Sequence, residues 1–232
     1  MREQLTHAIE DYLKAIYKIQ SIHGKASTNQ LAERLGVTPA SVTGMVKKLA
    51  NTQPPLVDYE KHHGVGLTPE GERVALEIVR HHRLLELFLH QILGYPWEKV
   101  HDEADRLEHV ISEEFEARIA EVLGDPLHDP HGDPIPQFDL SLPPTSHEPL
   151  SGLRPGERAV IRRVRDSDPQ LLDWLEDRGL VPQVQIEVVG WSPFDDNLTI
   201  RIDGDANGDE DEALVVLGPR ITEQIFVEAL NE

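Results

Sequence analysis

Apolar residues recur at helical spacing near the start of the chain. Leu5, Ala8, Ile9, Tyr12, Leu13, Ile16 and Ile19 form one stripe, widened by Tyr17 and closed by His23-Gly24, so a helix is predicted over residues 5–22. Asp11 lies at the edge of that stripe, where an ordinary solvated carboxylate is expected. Two shorter apolar sets follow. Leu31, Ala32 and Leu35 stand behind Ser27 and Gln30, which have capping-box spacing, and Gly36 supplies a turn. Thr38 then caps a second helix with Pro39 at its first position and Val42, Met45, Val46 and Leu49 as its buried stripe. Ala40, Ser41, Thr43, Gly44, Lys47 and Lys48 are left facing outward. Two short helices around a glycine turn, the second small and polar outside, predict a helix-turn-helix. Small residues can sit deep in a major groove, and the lysines can meet phosphates. A helical hairpin used only for packing is the alternative.

The period then changes. Leu56 to Lys61 and Val65 to Leu67 read as strands around His62-His63-Gly64, a hairpin in the position of a wing, from which Lys61 can reach a nucleic-acid backbone. Thr68-Pro69 caps a long helix running to about Leu93, with Val74, Ala75, Ile78, Leu85, Phe88, Leu89 and Ile92 as its apolar positions. His82 and Glu86 share a face of it, as a ligand pair or a surface pair. Pro96 opens another helix, and Phe115, Ile119 and Val122 mark a further one from about Glu113 to Leu123. Their apolar faces fit a core or a second subunit. The stretch from Gly124 to Pro155 is rich in Pro, Gly and Asp and reads as a linker partly laid against the protein. Beyond it, residues 158–165, 184–189, 198–202 and 213–217 predict strands and 169–178 a helix, a set that suits a small SH3-like barrel.

Composition alters this picture in two places. A chain of 232 residues, 39% hydrophobic, accommodates two domains, and no cysteine is present to make disulfides or thiolate zinc sites. No apolar run reaches the ~18 residues of a membrane span, and the opening MREQLTHAIEDYL lacks the pattern of a secretory signal, so a cytoplasmic protein is expected. A net charge of −20 argues against nucleic-acid binding on average. Through Ala75, however, acidic and basic residues nearly balance, and most of the acidic excess lies later.

The candidate chemistry centres on HDEADRLEH, His101 to His109. Read as helix, it puts Asp105, Glu108 and His109 on one face, with His101 a turn further back. Two carboxylates and an imidazole suit a hard or borderline divalent metal; a solvated acidic helix is the alternative. Asp203-Gly-Asp205-Ala-Asn207-Gly208 imitates the opening of a calcium-binding EF-hand loop, but Leu214 stands where the bidentate acid belongs. An acidic hairpin is predicted there.

Winged helix-turn-helix, long helices with a carboxylate–histidine cluster, Pro-rich linker and small β-domain, in that order, resemble the DtxR/MntR family of metal-dependent transcriptional repressors. The likeness is closest over IEDYLKAIYKI, VTPASVTGMVKKL, HHRLLELFLHQILG, KVHDEADRLEHVIS and HGDPIP. It implies a primary metal site at Asp11, Asp105, Glu108 and His109, which makes Asp11 a ligand. It implies an ancillary site drawing on His82, Glu86, His101 and His131, joined from the β-domain by Asp166, with Asp168 as second choice. The iron-responsive branch carries Met and Cys at the positions of Asp11 and Asp105. Carboxylates there resemble the manganese-responsive branch, and oxygen donors suit Mn2+, with Fe2+ a close neighbour. Lys14 occupies a position where short manganese sensors have an acidic ligand, which speaks against their closely spaced two-metal arrangement. The matching DNA-facing residues are Thr38, Ala40, Ser41, Thr43 and Gly44, with Lys47, Lys48 and Lys61 as phosphate contacts.

The expected fold is α+β, mainly α: a winged helix-turn-helix DNA-binding domain over residues 1–75, a helical metal-binding and dimerisation domain over 76–125, a Pro-rich linker over 126–149 and an SH3-like, FeoA-like domain over 150–232. The expected function is a non-enzymatic, homodimeric repressor that binds double-stranded operator DNA when Mn2+ is abundant and controls metal-ion homeostasis genes. An Fe2+-responsive regulator of the same family is the alternative. A metal-dependent hydrolase or oxidase is a more distant rival, since no nucleophile, base or open coordination position is identifiable.

Overall fold

A computed structural model describes residues 5–60, 63–165, 168–202 and 214–230. Lys61, His62, Asp166 and the EF-hand-like stretch 203–208 lie outside the described residues. The chain divides into two compact units, one made of Met1–His82, Asp105–Glu116 and Pro136–Ser141, the other of Arg83–Ala104, Ala117–Ile135 and Leu142–Glu232.

In the first unit the apolar stripes converge on one core. Helices α1 (His7–His23), α2 (Thr28–Leu35) and α3 (Pro39–Ala50) contribute Leu13, Ile16, Leu31, Val42, Val46 and Leu49, all fully buried. The predicted capping box closes as expected: Ser27 Oγ accepts from Gln30 N–H, and the Ser27 N–H donates to Gln30 Oε1 at 2.9 Å. Gly36 ends α2 in the left-handed region, and Thr38 Oγ1 accepts from Ser41 N–H in front of Pro39. Strands β1 (Val57–Glu60) and β2 (Gly64–Leu67) pair antiparallel from Val57↔Leu67 to Glu60↔Gly64. Ala26 exchanges backbone hydrogen bonds with Val65, which ties this wing to the segment ahead of α2. Helix α4 (Pro69–Gln91) begins here and adds Val74 and Ile78 to the core.

Helix α5 (Val100–Leu107) follows a single 3-10 turn, Trp97–Lys99, and α6 (Glu113–Leu123) comes next. The helix predicted through His109 stops at Leu107. Val110 and Ile111 N–H groups both turn back to the Leu107 carbonyl, and Ser112 Oγ accepts from Phe115 N–H, where α6 begins. The β-branched pair and the capping serine end one helix and start the next.

The second unit holds strands β3 (Arg158–Val164), β4 (Gln185–Trp191), β5 (Leu198–Ile202), β6 (Leu214–Leu217) and β7 (Ile225–Ala229). They form a five-stranded antiparallel sheet of order β6-β5-β4-β3-β7. Helix α7 (Pro169–Glu176) lies between β3 and β4, and α8 (Pro219–Thr222) lies between β6 and β7. Ile161, Leu172, Leu175, Ile186, Val188, Ile200 and Val227 pack with Trp97 in this core. The small SH3-like domain is as expected, except that β7 and α8 were not anticipated. Within this unit the loop around His131 is seated on the sheet: Val164 N–H donates to the His131 carbonyl, and Gly132, with φ +88°, passes so close to β3 that a Cβ would stand 1.9 Å from the Arg162 carbonyl oxygen. Among the described residues no helix is long and apolar enough to cross a membrane.

Candidate metal centre

Glu108 is the hub of a cluster inside the first unit. It sits in the turn after α5 and is only 1% exposed. Its Oε2 lies 2.6 Å from Lys14 Nζ on α1 and 2.6 Å from His82 Nδ1 on α4. Its Oε1 faces the other way, 3.5 Å from His109 Nε2. Lys14 Nζ also donates to Asp105 Oδ1 at 2.8 Å and lies 2.8 Å from His82 Nδ1. His109 is held at both nitrogens, Nδ1 2.6 Å from Glu10 Oε2 and Nε2 2.9 Å from Asp11 Oδ1, with the His7 ring stacked 4.8 Å away.

The result is two overlapping donor groups. Asp11, Glu108 and His109 bring ligand atoms within 4.8 Å of one another, and so do His82, Asp105 and Glu108. Of the expected primary residues, three stand together, while Asp105 is drawn by Lys14 to the second group. Glu108 belongs to both groups, its Oε1 facing His109 and its Oε2 facing the Lys14 ammonium that also holds Asp105. Burial pushes the Glu108 carboxyl up, but the His82 hydrogen bond and the Lys14 charge outweigh it and hold the group below the usual carboxylate range. The hydrogen bonds to Asp11 and then Glu10 push the His109 imidazole up to about 9 against the effect of burial. Without metal it is an imidazolium that donates to both carboxylates.

A third group lies in the other unit. Glu86, Asp129 and His131 are all buried, with ligand atoms within 4.8 Å of one another. His101 Nδ1 is 2.9 Å from Glu86 Oε1. Trp97 stacks on His131 with ring centroids 5.1 Å apart and donates through Nε1 to the Pro130 carbonyl. Asp129 Oδ1 accepts from the His131 and Asp133 N–H groups at 2.8 and 2.9 Å, which shapes the loop; its Oδ2 lies 3.6 Å from Arg83 Nε. Asp129 was missed in the sequence. Its only signal was a carboxylate two residues before a histidine in a Pro/Gly-rich turn. Asp168, the second choice for the β-domain ligand, is occupied as the N-cap of α7, accepting from Gln170 and Leu171 N–H groups. His81, also unanticipated, sits 2.9 Å from Glu116 Oε2, and Arg80 pairs with the same glutamate.

On α3, Thr38, Ala40, Ser41, Gly44, Lys47 and Lys48 are exposed and Thr43 is half-buried. The Thr43 hydroxyl donates to the Pro39 carbonyl, while the Thr38 and Ser41 hydroxyls lie 3.0 Å apart at the exposed start of the helix.

Comparison with known proteins accounts for these parts together. Residues 4–65 match the family described as "Iron dependent repressor, N-terminal DNA binding domain". Residues 68–137 match "Iron dependent repressor, metal binding and dimerisation domain", and 148–229 match the FeoA domain. The iron-dependent repressor IdeR of Mycobacterium tuberculosis is 32% identical over 200 residues, 80% of this chain and 85% of that protein. The chain belongs to the DtxR/IdeR/MntR family of metal-dependent transcriptional repressors. Another relative within it, the diphtheria toxin repressor of Corynebacterium jeikeium, is 33% identical over 163 residues, and the match spans 64% of that protein. A solved manganese-dependent transcriptional repressor in complex with manganese is 40% identical, with a TM-score of 0.85 over 96% of this chain and 100% of that one. The DtxR/IdeR/MntR relatives thus include members named for iron and for manganese.

Proposed function

We propose that this chain is a cytoplasmic, homodimeric repressor that Mn2+ enables to bind a pseudo-palindromic operator in metal-ion homeostasis genes. The observation that carries the metal assignment is the convergence of Asp11, Glu108 and His109, with donor atoms within 4.8 Å. The set contains only carboxylate oxygen and imidazole nitrogen, which fits Mn2+ better than softer ions. Asp105, gripped by Lys14 through Oδ1, is the fourth ligand that family resemblance assigns. Glu86, Asp129 and His131 would form the ancillary site, with His101 orienting Glu86 and Asp166 the ligand expected from the β-domain.

Asp11, Glu108 and His109 would hold the divalent cation, whose positive charge would offset the carboxylates facing each other between α1 and the turn after α5. The protein's own residues do the rest. Asp11 shares α1 with Leu13 and Ile16, which pack in one core with Val42, Val46 and Leu49 of α3. A constraint on α1 is therefore passed to the DNA-facing helix through close-packed side chains. Thr38, Ala40, Ser41, Thr43 and Gly44 would meet base edges, and Lys47, Lys48 and Lys61 the phosphates. A preference for the operator-binding arrangement of ~3 kcal/mol changes DNA affinity roughly 100-fold.

Fe2+ is the second reading, because iron-dependent relatives match over most of the chain. Operator binding titrated against Mn2+, Fe2+, Zn2+ and Co2+ at one salt concentration separates the two. The expected result is strongest activation by Mn2+, lost in Asp11→Ala and His109→Ala. Operator affinity indifferent to every metal, with chelator controls, overturns the proposal.

A further inference from the structure

The Lys14 ammonium lies where a metal ion would be expected. Its Nζ is 2.8 Å from His82 Nδ1, 2.8 Å from Asp105 Oδ1 and 2.6 Å from Glu108 Oε2. Those three side chains form a metal-competent donor group by themselves, with ligand atoms within 4.8 Å of one another. His82 and Glu108 are 2% and 1% exposed, and the Lys14 side chain is 10% exposed. A buried cation shared by an imidazole and two carboxylates is not a surface ion pair; it neutralises a pocket that would otherwise hold two facing negative charges.

We propose that Lys14 is a tethered occupant of a second cation pocket, His82–Asp105–Glu108, and restricts the first unit to one metal ion. This rests on the reading of Asp11, Glu108 and His109 as the adjoining site. The two pockets share Glu108 through different oxygens: Oε2 faces Lys14, whereas Oε1 faces His109. A carboxylate has lone pairs on both oxygens and can serve a cation on each side. The ammonium, a compact point charge on a flexible stem, fills one side without preventing occupation of the other. Its removal leaves Asp105 and Glu108 facing each other beside a buried imidazole, a donor set suited to a divalent ion.

The test is Mn2+ stoichiometry, by equilibrium dialysis with elemental analysis, of the full chain and its variants. Lys14→Met is expected to bind one more Mn2+ per chain than the unaltered protein. Lys14→Arg, which keeps the positive charge, is expected to match the unaltered protein, and His82→Ala added to Lys14→Met to remove the extra ion. Equal stoichiometry for Lys14→Met and the unaltered protein overturns the proposal, as does an extra ion that survives His82→Ala. If Lys14→Met does not fold with or without Mn2+, Lys14→Gln takes its place with the same two readings. The unaltered protein binding no Mn2+ while Lys14→Met binds one removes the adjoining-site reading and leaves this one standing; no binding by either chain removes both.

Discussion

At the scale of single residues, Glu108 and His109 hold opposite charges within one buried cluster. The imidazolium of His109 is stabilised by Asp11 and Glu10, with Glu108 adding to the same effect, and its pKa is raised from 6.5 to about 9. A raised folded-state pKa stabilises the fold fully below the unfolded value and loses that contribution as pH rises through the folded one. Chelator-treated protein is therefore expected to lose thermal stability between about pH 6.5 and 9, measured as Tm across that range. His109→Gln is expected to flatten the loss; an equally steep decline in the variant counts against His109 as the source. Glu108→Ala removes one partner of a buried group and leaves Lys14 less compensated, which is expected to cost about 3–5 kcal/mol in urea unfolding without metal. Helical intervals marked Asp105, Glu108 and His109 as one face, but α5 ends at Leu107 and Asp105 falls in a different donor group from His109. Glu10 was not readable, since a carboxylate beside an apolar stripe carries no sign of its partner 99 residues later. Asp129 was hidden for a related reason: its role comes from a loop folded onto a strand, and no local period marks that.

Elements were legible where local chemistry decides them. The Ser27–Gln30 box and the Thr38-Pro39 start involve neighbours only, and both appear where spacing put them. Ser27→Ala is expected to lower the stability of the chain by ~1 kcal/mol in urea melts while leaving Mn2+ affinity within error. A drop in metal affinity would show that α2 contributes more to the cluster than its cap implies. The end of α5 at Leu107 was less legible, because charged residues continue the helical pattern past the point where the backbone turns. Strand β7 was missed because Ile225, Phe226 and Val227 are all buried and show no alternation between apolar and polar positions. The seat of the His131 loop depends on Gly132. Gly132→Ala, which meets the Arg162 carbonyl at a positive φ, is expected to cost about 1–3 kcal/mol and to weaken ion binding by Glu86, Asp129 and His131. Calorimetric Mn2+ titration of the variant checks this, with an unchanged second binding event as the contrary result.

At the scale of the whole molecule, net charge was the least informative quantity. A total of −20 conceals exposed lysines at the end of α3, because charge repels or attracts over a Debye length of ~8–10 Å and not as a sum over the chain. Lys47→Ala is expected to reduce the salt dependence of operator binding, lowering the slope of log affinity against log salt by about 1, with little change in sequence preference. A changed sequence preference with an unaltered slope would place Lys47 on a base instead. The order of parts along the chain was readable because each part carries its own period and its own punctuation. How the donors converge was not, since it depends on packing between helices far apart in sequence. The convergence also has a chemical consequence. The three donor groups are built from carboxylates and imidazoles, and the chain contains no cysteine. The stepwise oxidation that converts a thiolate to sulfenic and then sulfinic acid has no substrate at any of them. Hydrogen peroxide applied to the metal-free protein should leave its subsequent Mn2+ affinity unchanged, so a cell under oxidative stress would still be reporting metal.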